Sequence, residues 1–156
     1  MDSITVYINR VKFLFMSVID ILTKLALVKK VNALSFINAR KVFQEFQSIC
    51  PYGVRKVQTD NGSEFLARFH EYLEEQKIPH IFIYPRPPKN NGVVERFNRT
   101  VQEEFINRND EIYYDLEAFE DKLTNYLNWY NTKRPHHSLK YMSPVQFINQ
   151  QIPKCG

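Results

Sequence analysis

The sequence predicts an α/β domain: a mixed five-stranded sheet, an antiparallel meander followed by two parallel strands, with helices on both faces. Three observations carry this reading. Up to Lys29 the chain offers three short segments rich in β-branched and aromatic residues, separated by brief polar breaks. Beyond them, segments of helical period alternate with two further short apolar runs, the order of β-α-β crossovers. Finally, 44% of the residues are hydrophobic and 14% aromatic, enough for a sizeable core in 156 residues, which is the length of one domain and excludes a disordered chain.

The elements follow in order. Residues 3–8 (SITVYI) alternate polar and apolar side chains, and 12–20 (KFLFMSVID) form a nearly continuous apolar run suited to a strand buried on both faces. Asn9-Arg10 is the expected hairpin turn, and 23–29 make the third strand. Asn32 reads as the cap of a helix reaching about Ser48, with Leu34, Ile37, Val42, Phe43 and Phe46 at helical spacing. Pro51-Tyr52-Gly53 ends it. A strand at 54–59, a helix over 63–76 and a strand at 80–84 come next. Residues 85–92 (PRPPKNNG) form a loop. Helical patterns then cover 93–106 and 116–130, residues 131–140 are irregular, and Ser143-Pro144 starts a last short helix. Tyr126 and Trp129, three apart on one helix face, are expected in the core, and Tyr130 and Pro135 are expected to pack on it.

The formal charge is +4 and the pI about 9.0, a modest excess compatible with a polyanionic partner. No uncharged apolar run approaches the ~18 residues of a membrane helix, and the start does not resemble a signal peptide, so the chain reads as soluble and cytoplasmic. Cys50 and Cys155 form neither a CxxC site nor a disulfide framework. Histidines 70, 80, 136 and 137 lack zinc-ligand spacing to either cysteine, and no structural zinc is expected.

Three carboxylates stand where burial alone would not put them. Asp60 ends a strand within QTDNGSEF (58–65), and the following Asn-Gly turn directs it into the cleft at the strand's end. Glu95 lies in the first turn of a helix within NNGVVERFNRT (90–100), and Asp2 opens the first strand. Taken singly, each has a plain explanation: turn chemistry, a favourable helix dipole, a solvated terminus.

Together with YNTKRPHHSL (130–139) and the Ser-Pro at 143–144, these segments resemble the catalytic core of the DDE transposases and retroviral-type integrases, nearest to the integrase-core domain of bacterial insertion-sequence transposases. Asp60 and Glu95 lie 35 positions apart, the family's interval between its second and third carboxylates, and Tyr130, Asn131, Arg134, Pro135 and His136 fill the places of its Tyr-Asn-x-x-Arg-Pro-His segment. The resemblance implies an RNase H-like fold, with residues 1–130 as the core and 131–156 as an extension of the same domain.

It also implies two-metal-ion phosphodiester hydrolysis and DNA strand transfer. Asp2, Asp60 and Glu95 would be both catalytic and metal-binding, with Mg²⁺ as the ion and Mn²⁺ able to replace it. Asp20 is the rival for the first carboxylate. DNA contacts are expected from Arg86, Lys89, Asn91, Arg96, Arg99, Lys133 and Arg134, with a Gly92 hinge or a rigid turn as the two readings of the proline-rich loop. Gln102 stands where many family members carry Lys or Arg, which lowers the expected grip on DNA. Expected partners are transposon ends, target DNA and further copies of the chain, in a bacterial cytoplasm at the nucleoid. A catalytically silent transposase remnant is the alternative, and a plain RNase H-like nuclease ranks last.

Overall fold

In the opening segment the β-branched and aromatic residues form three antiparallel strands: β1 (Asp2–Ile8), β2 (Val11–Ile19) and β3 (Ala26–Val31). The computed structural model describes residues 1–83 and 92–151. The register pairs Asp2 with Ser17 and Ile8 with Val11, then Leu14 with Val31 and Ile19 with Ala26. Asn9 and Arg10 form the expected turn, both at positive φ (48° and 68°), the twist a two-residue hairpin needs. The third strand starts later than its β-rich sequence suggests. Asp20 Oδ1 accepts the amides of Leu22 (2.8 Å) and Thr23 (2.6 Å), closing a turn before the strand.

Helix α1 (Phe36–Ile49) is capped by Ser35, whose hydroxyl accepts the Asn38 amide, and not by Asn32. Asn32 instead accepts from the Asn38 side chain. The short strands β4 (Val57–Thr59) and β5 (His80–Phe82) pair in parallel, Val57 opposite His80 and Thr59 opposite Phe82. Between them α2 (Arg68–Glu75) is shorter than its helical pattern. Residues 63–67 form turns, because Phe65 is driven fully into the core against Phe69 (ring centroids 5.7 Å) and Ala67 takes a positive φ of 44°.

Further on come α3 (Gly92–Glu104), two 3-10 segments (Ile106–Arg108 and Asp110–Tyr113), α4 (Leu116–Thr132), a 3-10 turn (His137–Leu139) and α5 (Pro144–Gln151). The loop expected at 85–92 lies outside the described residues up to position 91.

Alternation along β2 sorts the layers. Phe13, Phe15 and Ser17 face Tyr113, Phe119 of α4 and Asn98 of α3. Met16 and its cross-strand partner Lys29 lie on the other face, where α1 packs and Glu45 pairs with Lys29 at 2.7 Å. The architecture is the mixed α/β arrangement read from the sequence, with one difference. Among the described residues the strands register as two sheets, β1-β2-β3 and β4-β5, and not as one five-stranded ladder. Across the seam the Met1 amino group donates to the Gln58 carbonyl at 2.7 Å.

Helix α4 runs through position 130, so the C-terminal segment is continuous with the core. Asn131, 9% exposed, donates to the Ala26 carbonyl (2.8 Å) and accepts the Ala26 amide (3.0 Å), completing the start of β3 with a side chain. Ile148 of α5 joins the buried cluster. Trp129, however, is 42% exposed, contrary to its expected place in the core, and Pro135, expected to pack on the core, is exposed. The Trp129 ring lies 5.9 Å from that of the partly buried Tyr126.

Candidate functional site

Asp2 stands where β1, β2 and α3 meet. Its Oδ1 accepts the Ser3 amide at 2.9 Å, and its Oδ2 accepts from Asn98 Nδ2 at 2.7 Å. The hydroxyl of Ser17, directly across the ladder, donates to Asn98 Oδ1 at 2.7 Å. Asn98 is therefore oriented from one side by Ser17 and orients Asp2 from the other. Burial, and next the charge of Asp60, push the Asp2 carboxyl up to about 6.

Asp60 follows β4 directly. Its Oδ1 accepts the Gly62 amide at 3.0 Å, an Asx turn that fixes the side chain at the strand end. A Cβ at Gly62 would lie 2.8 Å from Glu64 Oε2, on a residue only 5% exposed, so a side chain there needs the Glu64 carboxylate to shift. Just before it, the Thr59 hydroxyl donates to the Asp60 carbonyl at 2.9 Å.

Glu95 sits exposed in the first turn of α3, three residues before Asn98 and so on the same helical face. Among the described residues no three Asp, Glu, His or Cys side chains converge closely enough to hold a metal ion. Asp2 and Asp60 are coupled, while Glu95 is not closed onto them. Asp20 accepts from Leu22, Thr23 N and Thr23 Oγ1 within its own turn. The donor chemistry of Asp2 and Asp60 suits a hard divalent cation: carboxylate oxygens in a partly buried site where burial, and next the Asp60 charge, raise the Asp2 pKa.

Of the basic residues read from the sequence, Arg86, Lys89 and Asn91 lie outside the described residues. Arg96 and Arg99 are exposed on α3, and Lys133 is exposed at the end of α4. Arg134 points inward. It forms a two-pronged pair with Glu104 (Nη2–Oε1 2.6 Å, Nε–Oε2 3.1 Å) and lies 5.4 Å from the Tyr130 ring centre. Tyr126 also donates to Glu104 Oε2, at 2.9 Å. Burial raises the Glu104 carboxyl, but the Arg134 and Tyr126 hydrogen bonds outweigh it and hold the group below its usual value. Buried His136 packs edge-on against Tyr130 at 4.7 Å, and burial lowers its pKa.

The residues missed in sequence are Ser17 and Asn98. Their signals were faint: one serine in the apolar run KFLFMSVID, and an asparagine one turn after Glu95 on a buried face.

With this geometry in view, residues 76–144 match the family model of the integrase core domain. The ORF3 protein of Spiroplasma virus SpV1-C74, named as an integrase, is 30% identical over 155 residues, covering 88% of this chain and 42% of its own length. A 39.2 kDa protein of insertion element IS476 from Xanthomonas euvesicatoria is 35% identical over 103 residues, 65% of this chain and 29% of that one. Among solved structures, the HTLV-2 integrase catalytic core domain in complex with magnesium, in trimeric form, superposes with a TM-score of 0.75 at 17% identity, covering 94% of this chain and 91% of that one. The fold is thus the RNase H-like fold of integrase catalytic cores. The chain is thus similar to the catalytic cores of transposases and integrases, with the integrase core domain model matched over residues 76–144. It spans less than half the length of the curated relatives it matches. Among the described residues no helix is long and apolar enough to cross a membrane.

Proposed function

We propose that the chain is the catalytic core of a metal-dependent DNA strand transferase, acting in transposition or integration. The observation that carries this is the Asp2–Asp60 pair at adjacent strand ends, braced by Asn98 from the helix that bears Glu95. Asp2, Asp60 and Glu95 would hold Mg²⁺, or Mn²⁺ in its place. Held there, divalent ions would supply Lewis acidity to an attacking water or 3′-hydroxyl and to the departing 3′-oxygen.

The protein's part is positional. Asn98 holds Asp2 by its Oδ2, and the Asx turn at Gly62 holds Asp60 by its Oδ1. Glu95 stands exposed in the first turn of the same helix as Asn98. Arg96, Arg99 and Lys133 offer exposed cations for DNA phosphates, with Arg86, Lys89 and Asn91 from the adjoining loop. Transposon ends, target DNA and further copies of the chain are the partners of this reading, and a bacterial cytoplasm is its setting. Arg134 has no DNA role in it, since its guanidinium is taken up by Glu104.

The test is Mn²⁺-dependent strand rejoining on a branched DNA oligonucleotide. Activity should be lost in Asp2→Asn, Asp60→Asn and Glu95→Gln and kept in Asp20→Asn. Loss in Asp20→Asn with survival in Asp2→Asn would move the first ligand, and a folded chain inactive with both metals would overturn the reading.

A further inference from the structure

A second, chemically different site lies between α2 and β5. His70 of α2 and His80 of β5 place their Nδ1 atoms 3.3 Å apart, with ring centroids at 5.4 Å. At the far side of each ring, Thr59 Oγ1 lies 2.9 Å from His80 Nε2 and the Glu74 carboxylate 3.5 Å from His70 Nε2. With a proton on one Nδ1 the two rings share an N–H···N hydrogen bond across the gap; with both protons on the Nε2 atoms, two Nδ1 lone pairs face a gap that a cation can enter.

We infer that His70 and His80 form a two-imidazole site for a borderline transition-metal ion, Zn²⁺ foremost. Tetrahedral zinc with Zn–N bonds of about 2.0–2.1 Å spaces two nitrogen ligands by roughly 3.3–3.4 Å, which is the separation found here. Each ring also has an oxygen near its other nitrogen, Thr59 Oγ1 for His80 and the Glu74 carboxylate for His70, the kind of partner that orients metal-bound histidines. Aromatic walls hold the rings in place: Phe82 lies 4.1 Å from the His80 ring and 5.5 Å from His70, and Phe69 meets His80 edge-on at 5.8 Å. Imidazole pairs select Zn²⁺, Ni²⁺ or Cu²⁺ over Mg²⁺, so this site is independent of the carboxylate pair. No third His, Cys, Asp or Glu joins it among the described residues, so water completes the coordination. The ion would clasp α2 to β5 and, through Thr59, stiffen the strand end that carries Asp60.

The test uses the metal-stripped chain carrying Cys155→Ser and Asp60→Asn, which removes an unrelated thiol and the carboxylate site. Melting is followed with Zn²⁺, Ni²⁺ or Mg²⁺. Zn²⁺ at about 100 times its dissociation constant should raise the midpoint by roughly 5–10 °C, and Mg²⁺ should not. Adding His70→Gln, a change at a half-buried position outside the buried apolar cluster, should abolish the Zn²⁺ shift. In nitrogen-15 spectra of the histidine side chains, the Nδ1 signals of His70 and His80 should move together on Zn²⁺ addition. No Zn²⁺ shift, an equal shift in His70→Gln, or unmoved His70 and His80 signals would each overturn the proposal.

Discussion

Asn98, on a helix 96 residues downstream, donates to Asp2 Oδ2 at 2.7 Å and is itself held by Ser17. This one amide ties the first strand, the second strand and the Glu95-bearing helix at the point where Asp2 stands. Asn98→Leu should leave Ser17 without its buried acceptor and Asp2 without its clamp. A loss of about 2 kcal/mol in denaturant unfolding is expected, together with a tenfold or greater drop in strand rejoining. Asn98→Gln should not rescue it, because the position is 8% exposed and has no room for a further methylene.

Gly62 should tolerate no side chain while Glu64 keeps its place. Gly62→Ala brings a Cβ to 2.8 Å from the Glu64 carboxylate and disturbs the turn whose amide fixes Asp60. Thermal melting should show a loss of about 1–3 kcal/mol, as for other overpacked sites. Adding Glu64→Ala should recover part of it; no recovery would place the strain elsewhere.

The Arg134–Glu104 pair should behave as a structural clamp. Arg134→Ala leaves the partly buried Glu104 with only Tyr126, and a cost of about 1–2 kcal/mol is expected after allowing for its partial exposure. Arg134→Lys should recover little, since an ammonium cannot match the two-pronged geometry. Nonspecific DNA binding should keep its salt dependence in both variants, whereas Arg96→Ala and Arg99→Ala should flatten it.

His80 should give the fold an acid-sensitive limb. Burial, with His70 adding to it, lowers its folded pKa from 6.5 to about 4. Between those values the unfolded chain takes up a proton that the folded chain refuses, so stability falls as the pH falls. Asp2 works the other way: its folded pKa of about 6, against 3.8, makes its contribution shrink as the pH rises through that range. Subtracting the His80→Gln stability curve from that of the parent isolates the histidine in metal-free buffer. The difference should drop from pH 6.5 to 4 and level off below; a flat difference would mean His80 is not held neutral.

Much of this protein was written locally. Alternating apolar residues made β1 and β2, Asn9-Arg10 closed the hairpin, Ser143-Pro144 opened α5, and Asp60 and Glu95 were marked by their turns and spacing. Helix α2 was misjudged because periodicity records a pattern of side chains, and the pull of Phe65 into the core overrode it over 63–67. Contacts between distant segments leave no such pattern. That Asp2 would share its field with Asp60, that Asn98 would brace it, that Asn131 would finish β3, and that two histidines ten residues apart would face each other at 3.3 Å were decided by packing alone. Sequence sets which groups are available and on which face of their own element they stand. Distances between elements depend on how whole faces interlock, and it is those distances that set the pKa values and the ligand geometry on which the chemistry rests.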